Sequence, residues 1–303
     1  MIRLLLVAIL LIGFLILSIP LRLSLSKAVD GGAGKAGGGA GKPESEAAGK
    51  SEREIAGAGK PGDGAARDGK PESEAAGAGK PDGGAPDVDP QASLAAQKKA
   101  LGIVQTMFRL ILKVSGVKIT VKGRENIPDG AVLYVGNHSS YFDILVGYTT
   151  VPGLTGFVAK AEMEKVPLLS DWMVLVNCLF LNRKDIKEGL KTIMKGIEKV
   201  KSGISIWIFP EGTRNPHEDL TDLLPFKEGS LKIAEKSGCP VVPVAITGTA
   251  NVFERHLPWI RAAKVTIEYG EPIYIKQLPA EQRKRAGAYT RDVIIEMLKR
   301  EQG

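Results

Sequence analysis

From residue 117 onward, short apolar runs rich in Val, Ile, Phe and Tyr alternate with stretches of helical periodicity. That alternation restricts the available folds more than any other feature of the chain. Candidate strands are 118–121, 131–135, 156–159, 178–181, 204–209, 241–246 and 265–269. Helix-like stretches fall at 142–148, 168–176, 186–200, 229–236 and 280–300. Residues 252–261, which include Pro258 and Trp259, follow neither period. Strands separated by helices need crossover connections, and crossovers lay strands side by side in parallel. The expectation is an α/β domain over residues 117–303, with a central, mostly parallel sheet flanked by helices. Ligand sites in such domains collect where strands end and helices begin.

The first 116 residues read differently. Residues 31–93 are dominated by Gly, Ala, Lys, Glu, Asp and Pro, with almost no large apolar side chain. Such a stretch cannot bury enough surface to offset its ordering entropy. It repeats itself, since Gly41-Lys42-Pro43-Glu44-Ser45-Glu46-Ala47-Ala48-Gly49 recurs over residues 69–77, but the repeat has no apolar face to stack. We read it as a disordered, flexible linker. Residues 4–17 are hydrocarbon apart from Gly13, and the run extends to Arg22. This suits an uncleaved transmembrane anchor over residues 1–30. The competing reading is a signal peptide, but Ser26-Lys27-Ala28 is a poor cleavage site. Arg22, Lys27 and Lys35 follow the span against Arg3 before it, which favours a cytoplasmic location for the rest of the chain. Residues 94–116 form an amphipathic helix carrying Leu101, Val104, Phe108, Ile111 and Leu112 on one face. Its basic flanks suit a membrane interface, and its apolar stripe would equally cover a sheet.

The net charge of +7 divides unevenly. Residues 1–30 hold three basic and one acidic side chain, residues 31–93 hold eight and eleven, and +8 is left for residues 94–303. A basic domain favours anionic partners: nucleic acid, an anionic membrane or a phosphorylated small molecule. Cys178 and Cys239 stand in apolar surroundings without a zinc or disulfide pattern, and read as buried thiols.

Two stretches carry candidate chemistry. His138 follows the 131–135 run through Gly136-Asn137, with Asp143 five residues on. On a regular helix these two would point apart. They meet only if His138 lies in the turn and Asp143 in the first helical turn. Ser140 and Asp143 also fit a capping box, so Asp143 has a purely structural alternative. In the functional reading Asp143 accepts the Nδ1 proton of His138 and leaves Nε2 as a base near neutral pH. The second stretch, Phe209-Pro210-Glu211-Gly212-Thr213-Arg214, ends the 204–209 run. Gly212 lets backbone approach a ligand, Thr213 offers a hydroxyl, and Arg214 offers a bidentate donor suited to phosphate. Glu211 holds the loop or the arginine. The plain alternative is a turn with a local Glu–Arg ion pair.

These residues resemble the first and third signature blocks of the glycerolipid acyltransferases, nearest the 1-acylglycerol-3-phosphate (lysophosphatidate) acyltransferases. Val158-Ala159-Lys160-Ala161-Glu162, Leu179-Phe180-Leu181-Asn182-Arg183, Pro225-Phe226-Lys227-Glu228-Gly229-Ser230 and Val242-Pro243-Val244-Ala245-Ile246-Thr247-Gly248 resemble further segments, in the family's order. The likeness runs over about residues 117–274. It departs at Asn177-Cys178, where the family's second block opens with glycines, and at the linker, which has no counterpart. The resemblance implies His138 and Asp143 as catalytic residues, with Lys160, Arg183, Glu211, Gly212, Thr213 and Arg214 binding substrate. It implies transfer of an acyl group from acyl-CoA or acyl carrier protein to the sn-2 hydroxyl of lysophosphatidate at a bilayer, giving phosphatidic acid. No metal, organic cofactor or nucleic acid is expected.

Three rivals stand beside it. One is an acyltransferase of the same superfamily with another lysolipid or glycerol 3-phosphate as acceptor. Another is a metal-dependent hydrolase using His138 and Asp143 as ligands, although with three histidines in the chain nitrogen ligands are scarce. The last is a non-catalytic membrane-binding module.

Overall fold

The computed structural model describes residues 2–29 and 90–302. The linker expected at 31–93 falls outside the described residues except for its last four, which open a helix. Pro90 begins that helix, in the first turn, where a missing N–H costs nothing.

All seven candidate strands form and join one sheet: β1 (Lys118–Lys122), β2 (Leu133–Gly136), β3 (Thr155–Lys160), β4 (Leu179–Leu181), β5 (Ser205–Ile208), β6 (Val241–Thr247) and β7 (Lys264–Tyr269). Their spatial order is β1-β7-β6-β2-β5-β3-β4. Every neighbouring pair is parallel except β6 and β7. Strands β2 to β6 therefore end on one edge of the sheet. Successive side chains of a strand point to opposite faces. Tyr134, Trp207, Val244 and Ile246 enter the core on one face, and Leu133, Val135, Ile206, Ile208 and Ala245 enter the core on the other. With both faces covered, the strands need no polar side, which is why they read as continuous apolar runs.

The first face carries α3 (Pro90–Ser115), α4 (Phe142–Thr150) and α5 (Leu169–Leu175). The second carries α6 (Ile186–Lys201), α7 (Lys232–Ser237) and α9 (Ala286–Gln302). Two expected helices are divided. The 229–236 stretch opens as a 3-10 turn at Glu228–Leu231 before α7. The C-terminal stretch breaks at Arg285 into α8 (Ala280–Lys284) and α9. Cys178 is buried, with its sulfur 3.2 Å from the Tyr148 hydroxyl, whereas Cys239 is only partly buried.

The expected anchor is two helices, α1 (Ile2–Leu17) and α2 (Ile19–Val29), bent by 55°. Pro20 at the start of α2 cannot continue a helical ladder. The Trp172 indole of α5 donates to the Ser18 hydroxyl at the break (3.0 Å), Phe14 packs on the Trp172 ring, and Arg22 pairs with Asp171. Among the described residues no single helix is long and apolar enough to cross a membrane, but the bent pair meets the length and composition together. Ile2, Leu5, Leu6, Ile9, Ile12 and Ile16 are exposed.

The stripe of α3 read as suited to a membrane is turned inward. Leu101, Val104, Ile111 and Leu112 are buried, and Phe108 meets Tyr148 of α4. This face packs against α4 and the N-terminal helices, while Leu94 and Leu110 stay exposed.

Candidate active site

Every site residue named from the sequence follows, or ends, a strand finishing on the shared edge of the sheet. His138 and Asp143 follow β2, Lys160 ends β3, Arg183 follows β4, and Glu211 to Arg214 follow β5.

His138 sits in the turn before α4, and its Nδ1 lies 2.9 Å from Asp143 Oδ2. The same oxygen accepts the Ser139 and Ser140 N–H groups, both at 2.8 Å. An oxygen that already accepts two backbone N–H groups acts as an acceptor, so we assign the hydrogen of that contact to Nδ1. Asp143 is fully buried, and its other oxygen has no partner. The Ser140 hydroxyl accepts the Phe142 N–H at 3.0 Å. Asp143 thus orients the histidine and takes the Ser140 N–H, but its own N–H goes to the Ser140 carbonyl and not to the hydroxyl, so the expected capping box is only half formed. Phe209 stacks on the imidazole, with centroids 4.1 Å apart and planes 12° from parallel. Carboxylate and ring face together fix the plane of His138.

Glu211 is buried beneath the site. Its oxygens accept the His138 N–H (2.8 Å) and the Leu224 N–H (3.0 Å). Burial pushes its carboxyl above the ordinary carboxylate range, against the downward pull of those two bonds. It holds loops together, and the ion pair of Arg214 is made elsewhere. Arg214 Nη1 lies 3.3 Å from Glu254, its guanidinium lies 3.9 Å above the Tyr141 ring, and Glu254 also accepts the Tyr141 N–H at 2.8 Å. Gly212 has φ +77°, a left-handed conformation that favours glycine. A Cβ there would lie 3.0 Å from Lys227 Nζ and 3.7 Å from Arg183 Nη1. Partial burial lowers the Arg183 pKa from the ordinary guanidinium value, while Glu162 raises it. Lys160 is exposed and pairs with Glu162 at 3.0 Å. Thr213 is exposed. Asn137 ties β2 to β6 by a two-way amide bond with Ile246.

The backbone N–H groups from His138 to Asp143 are all taken, by Glu211, Asp143, Glu254, the Ser140 hydroxyl and the Ser140 carbonyl. An oxyanion must find its donors in another segment. Among the described residues no group of three or more His, Cys, Asp and Glu side chains is placed to hold a metal ion, so a metal-ligand reading of His138 and Asp143 lacks a third side chain.

The acyltransferase family model matches residues 118–247. The 1-acyl-sn-glycerol-3-phosphate acyltransferase of Saccharomyces cerevisiae is 30% identical over 209 residues, covering 68% of this chain and 68% of that protein. The enzyme of the same name from Borreliella burgdorferi is 32% identical over 197 residues, covering 63% of this chain and 78% of its own length. The chain belongs to the acyltransferase family. The crystal structure of the 1-acyl-sn-glycerophosphate (LPA) acyltransferase PlsC from Thermotoga maritima shares the fold, with 30% identity and a TM-score of 0.57 over 69% of this chain and 82% of that one.

In this acyltransferase, Asn177 stands where the family's second block has glycine, and it adopts φ +65°. Asn is among the few side chains that tolerate this region. Its amide is anchored on both sides, to Gln97 (2.9 Å) and Lys199 (2.7 Å). Sequence reasoning gave no role to Phe209, Lys227 or Glu254. Phe209 and Lys227 stood inside quoted motifs, but stacking and convergence are tertiary facts. Glu254 lies in the 252–261 stretch, which has no period to read.

Proposed function

We propose that this acyltransferase moves a fatty acyl group from a thioester, acyl-CoA or acyl carrier protein, to the sn-2 hydroxyl of 1-acyl-sn-glycerol-3-phosphate, giving phosphatidic acid for phospholipid synthesis. The observation that carries the chemistry is the His138–Asp143 contact of 2.9 Å with Phe209 stacked on the ring. It leaves Nε2 as the basic atom, and no protein nucleophile is required. The named relatives support the acceptor. His138 Nε2 takes the hydroxyl proton as the oxygen attacks the thioester carbonyl. The tetrahedral intermediate collapses, the C–S bond breaks, and the thiolate takes the proton back from the imidazolium. Thr213, whose N–H makes no hydrogen bond among the described residues, is the proposed oxyanion donor. Arg183, Arg214 and Lys160 supply positive charge for the phosphate. Holding hydroxyl and carbonyl within roughly 3–3.5 Å is then the main demand on the site. The acceptor is a lipid, and the exposed apolar face of α1 and α2 suits a membrane anchor that keeps the catalytic domain on the cytoplasmic face.

The test is thiol release from a long-chain acyl-CoA or acyl carrier protein, with and without lysophosphatidate, for wild type and His138→Ala. Release that needs both acceptor and histidine is expected, with the variant down by about 10²–10⁴-fold. A variant within tenfold of wild type overturns the base assignment, and release without acceptor points to a thioesterase.

A further inference from the structure

Helix α6 has one apolar face, and the fold covers only the C-terminal half of it. There Ile197 and Val200 are buried and Ile193 packs on the core of the second sheet face. The Thr192 hydroxyl donates to the Phe180 carbonyl at 2.9 Å, which fastens the helix to β4. The same face continues toward the N-terminus through Ile186, Leu190 and Met194, at helical spacing. These three are 90%, 61% and 50% exposed. A lysine follows each of them, so Lys187, Lys191 and Lys195 run as a second row beside the apolar one, over about 12 Å. Lys191 pairs with Glu188 at 2.7 Å, whereas among the described residues Lys187 and Lys195 make no ion pair. Asp185 is committed as the N-cap, accepting the Lys187 and Glu188 N–H groups. The exposed half is also the half beside the candidate site. Arg183 lies three residues before Ile186, with its Nη1 3.7 Å from where a Cβ on Gly212 would stand.

We propose that the apolar and lysine rows of α6 are the docking surface for an acidic acyl carrier protein that delivers the acyl thioester. The proposal rests on the acyl-transfer reading given above. An occupant of this face has to bring carboxylates to the lysines and apolar side chains to the row beside them, within reach of the site edge. An acidic carrier protein meets all three demands. The charges steer the encounter and set its orientation, and the apolar row supplies a dry centre. Other occupants match less of the surface. Residues 31–93 hold eleven acidic side chains but almost no large apolar ones. The exposed apolar side chains of α1 and α2, which suit a bilayer, belong to helices packed on the opposite face of the sheet. A second copy of this chain, joined by a two-fold axis, would bring lysine row against lysine row. Acyl-CoA is a small molecule and has no use for a row that runs away from the site.

The experiment uses the full chain in detergent micelles, in four forms. These are wild type, Lys187→Glu with Lys195→Glu, Leu190→Ser with Met194→Ser, and the charge-keeping Lys187→Arg with Lys195→Arg. KM and kcat for acylation of lysophosphatidate are measured with palmitoyl-acyl carrier protein and with palmitoyl-CoA as donors. The charge-reversed and serine variants should raise KM for the carrier-protein donor by about tenfold or more and KM for palmitoyl-CoA by less than about twofold. The arginine variant should stay near wild type. Added salt should weaken the carrier-protein donor more in wild type than in the charge-reversed variant. An equal loss with both donors, or no loss with either, overturns the proposal. A second readout is independent of turnover: fluorescently labelled acyl carrier protein, titrated by anisotropy, should bind wild type and bind the two variants about tenfold more weakly. If wild type transfers from neither donor, the acyl-transfer reading falls and the titration alone decides the docking surface. Wild type that does not bind the carrier protein removes it. Vesicles of phosphatidylglycerol and the oligomeric state in micelles are compared for the same variants. Carrier-protein binding kept while vesicle binding or a dimer is lost would assign the surface to lipid or to a second copy, and either overturns the proposal.

Discussion

The turn after β2 and the turn after β5 lie on one edge of one sheet and are built on opposite plans. In the first, every backbone N–H from His138 to Asp143 is bonded, the carboxylate is buried, and the imidazole is fixed by Asp143 and Phe209. In the second, Gly212 bends through a left-handed conformation, Thr213 is exposed, and cations gather above it. For the base we propose, a closed turn fixes one direction. For the anion seat we propose, an open turn leaves access to a ligand. Glu211 belongs to the second turn and holds the first, which couples the two.

The largest effect should come from Asp143→Ala. Three donors lose their acceptor at a fully buried position, at about 1–3 kcal/mol for each group left unsatisfied. Turnover should fall by roughly 10²–10⁴-fold with His138 unoriented. Retained activity in a folded variant would break the idea that the first turn exists to aim the histidine.

Glu211→Gln comes next, and it probes the coupling through pH. Burial raises the folded pKa of Glu211, so its stabilising contribution is complete below the unfolded carboxylate pKa and is lost as pH rises through the folded value. The Tm of wild type minus that of Glu211→Gln should therefore decrease as pH rises above the ordinary carboxylate range. A difference that grows with pH would mean that the two backbone bonds outweigh burial.

Gly212→Ala should be milder. A left-handed conformation costs a residue with a Cβ about 1–2 kcal/mol, and the new methyl would press on the Lys227 ammonium. Thermal unfolding should show a modest loss, and the acceptor KM should rise more than kcat falls. The smallest effect is expected from Lys160→Ala, because its pairing with Glu162 is exposed to water on both sides. The Tm should stay put. A KM for lysophosphatidate raised by more than about tenfold would give Lys160 a larger share of the phosphate than its exposure predicts.

Much of the fold was legible because a strand buried on both faces has only one sequence signature, a short apolar run. The seven runs became the seven strands, with shifts of up to about two residues at their ends. Helix ends were harder to read. The break at Arg285, the 3-10 opening of α7 and the bend before α2 each depend on local geometry that periodicity averages away. In the site, the His138–Asp143 pair was legible from spacing, since a turn followed by a first helical turn is what allows them to meet. The role of Glu211 as a loop holder was half legible. The partner of Arg214 was not, because Glu254 lies 40 residues away.

What the sequence determined by itself is the layered α/β class, the strands and the place of the chemistry at strand ends, because hydrophobic period and turn residues are local properties. Which side of α3 meets protein was decided only by tertiary structure, since an amphipathic stripe fits a sheet or a bilayer equally well. So was the pairing of Arg214 with Glu254, which lies 40 residues on. Charges are visible in a sequence, but their compensation depends on distance in space.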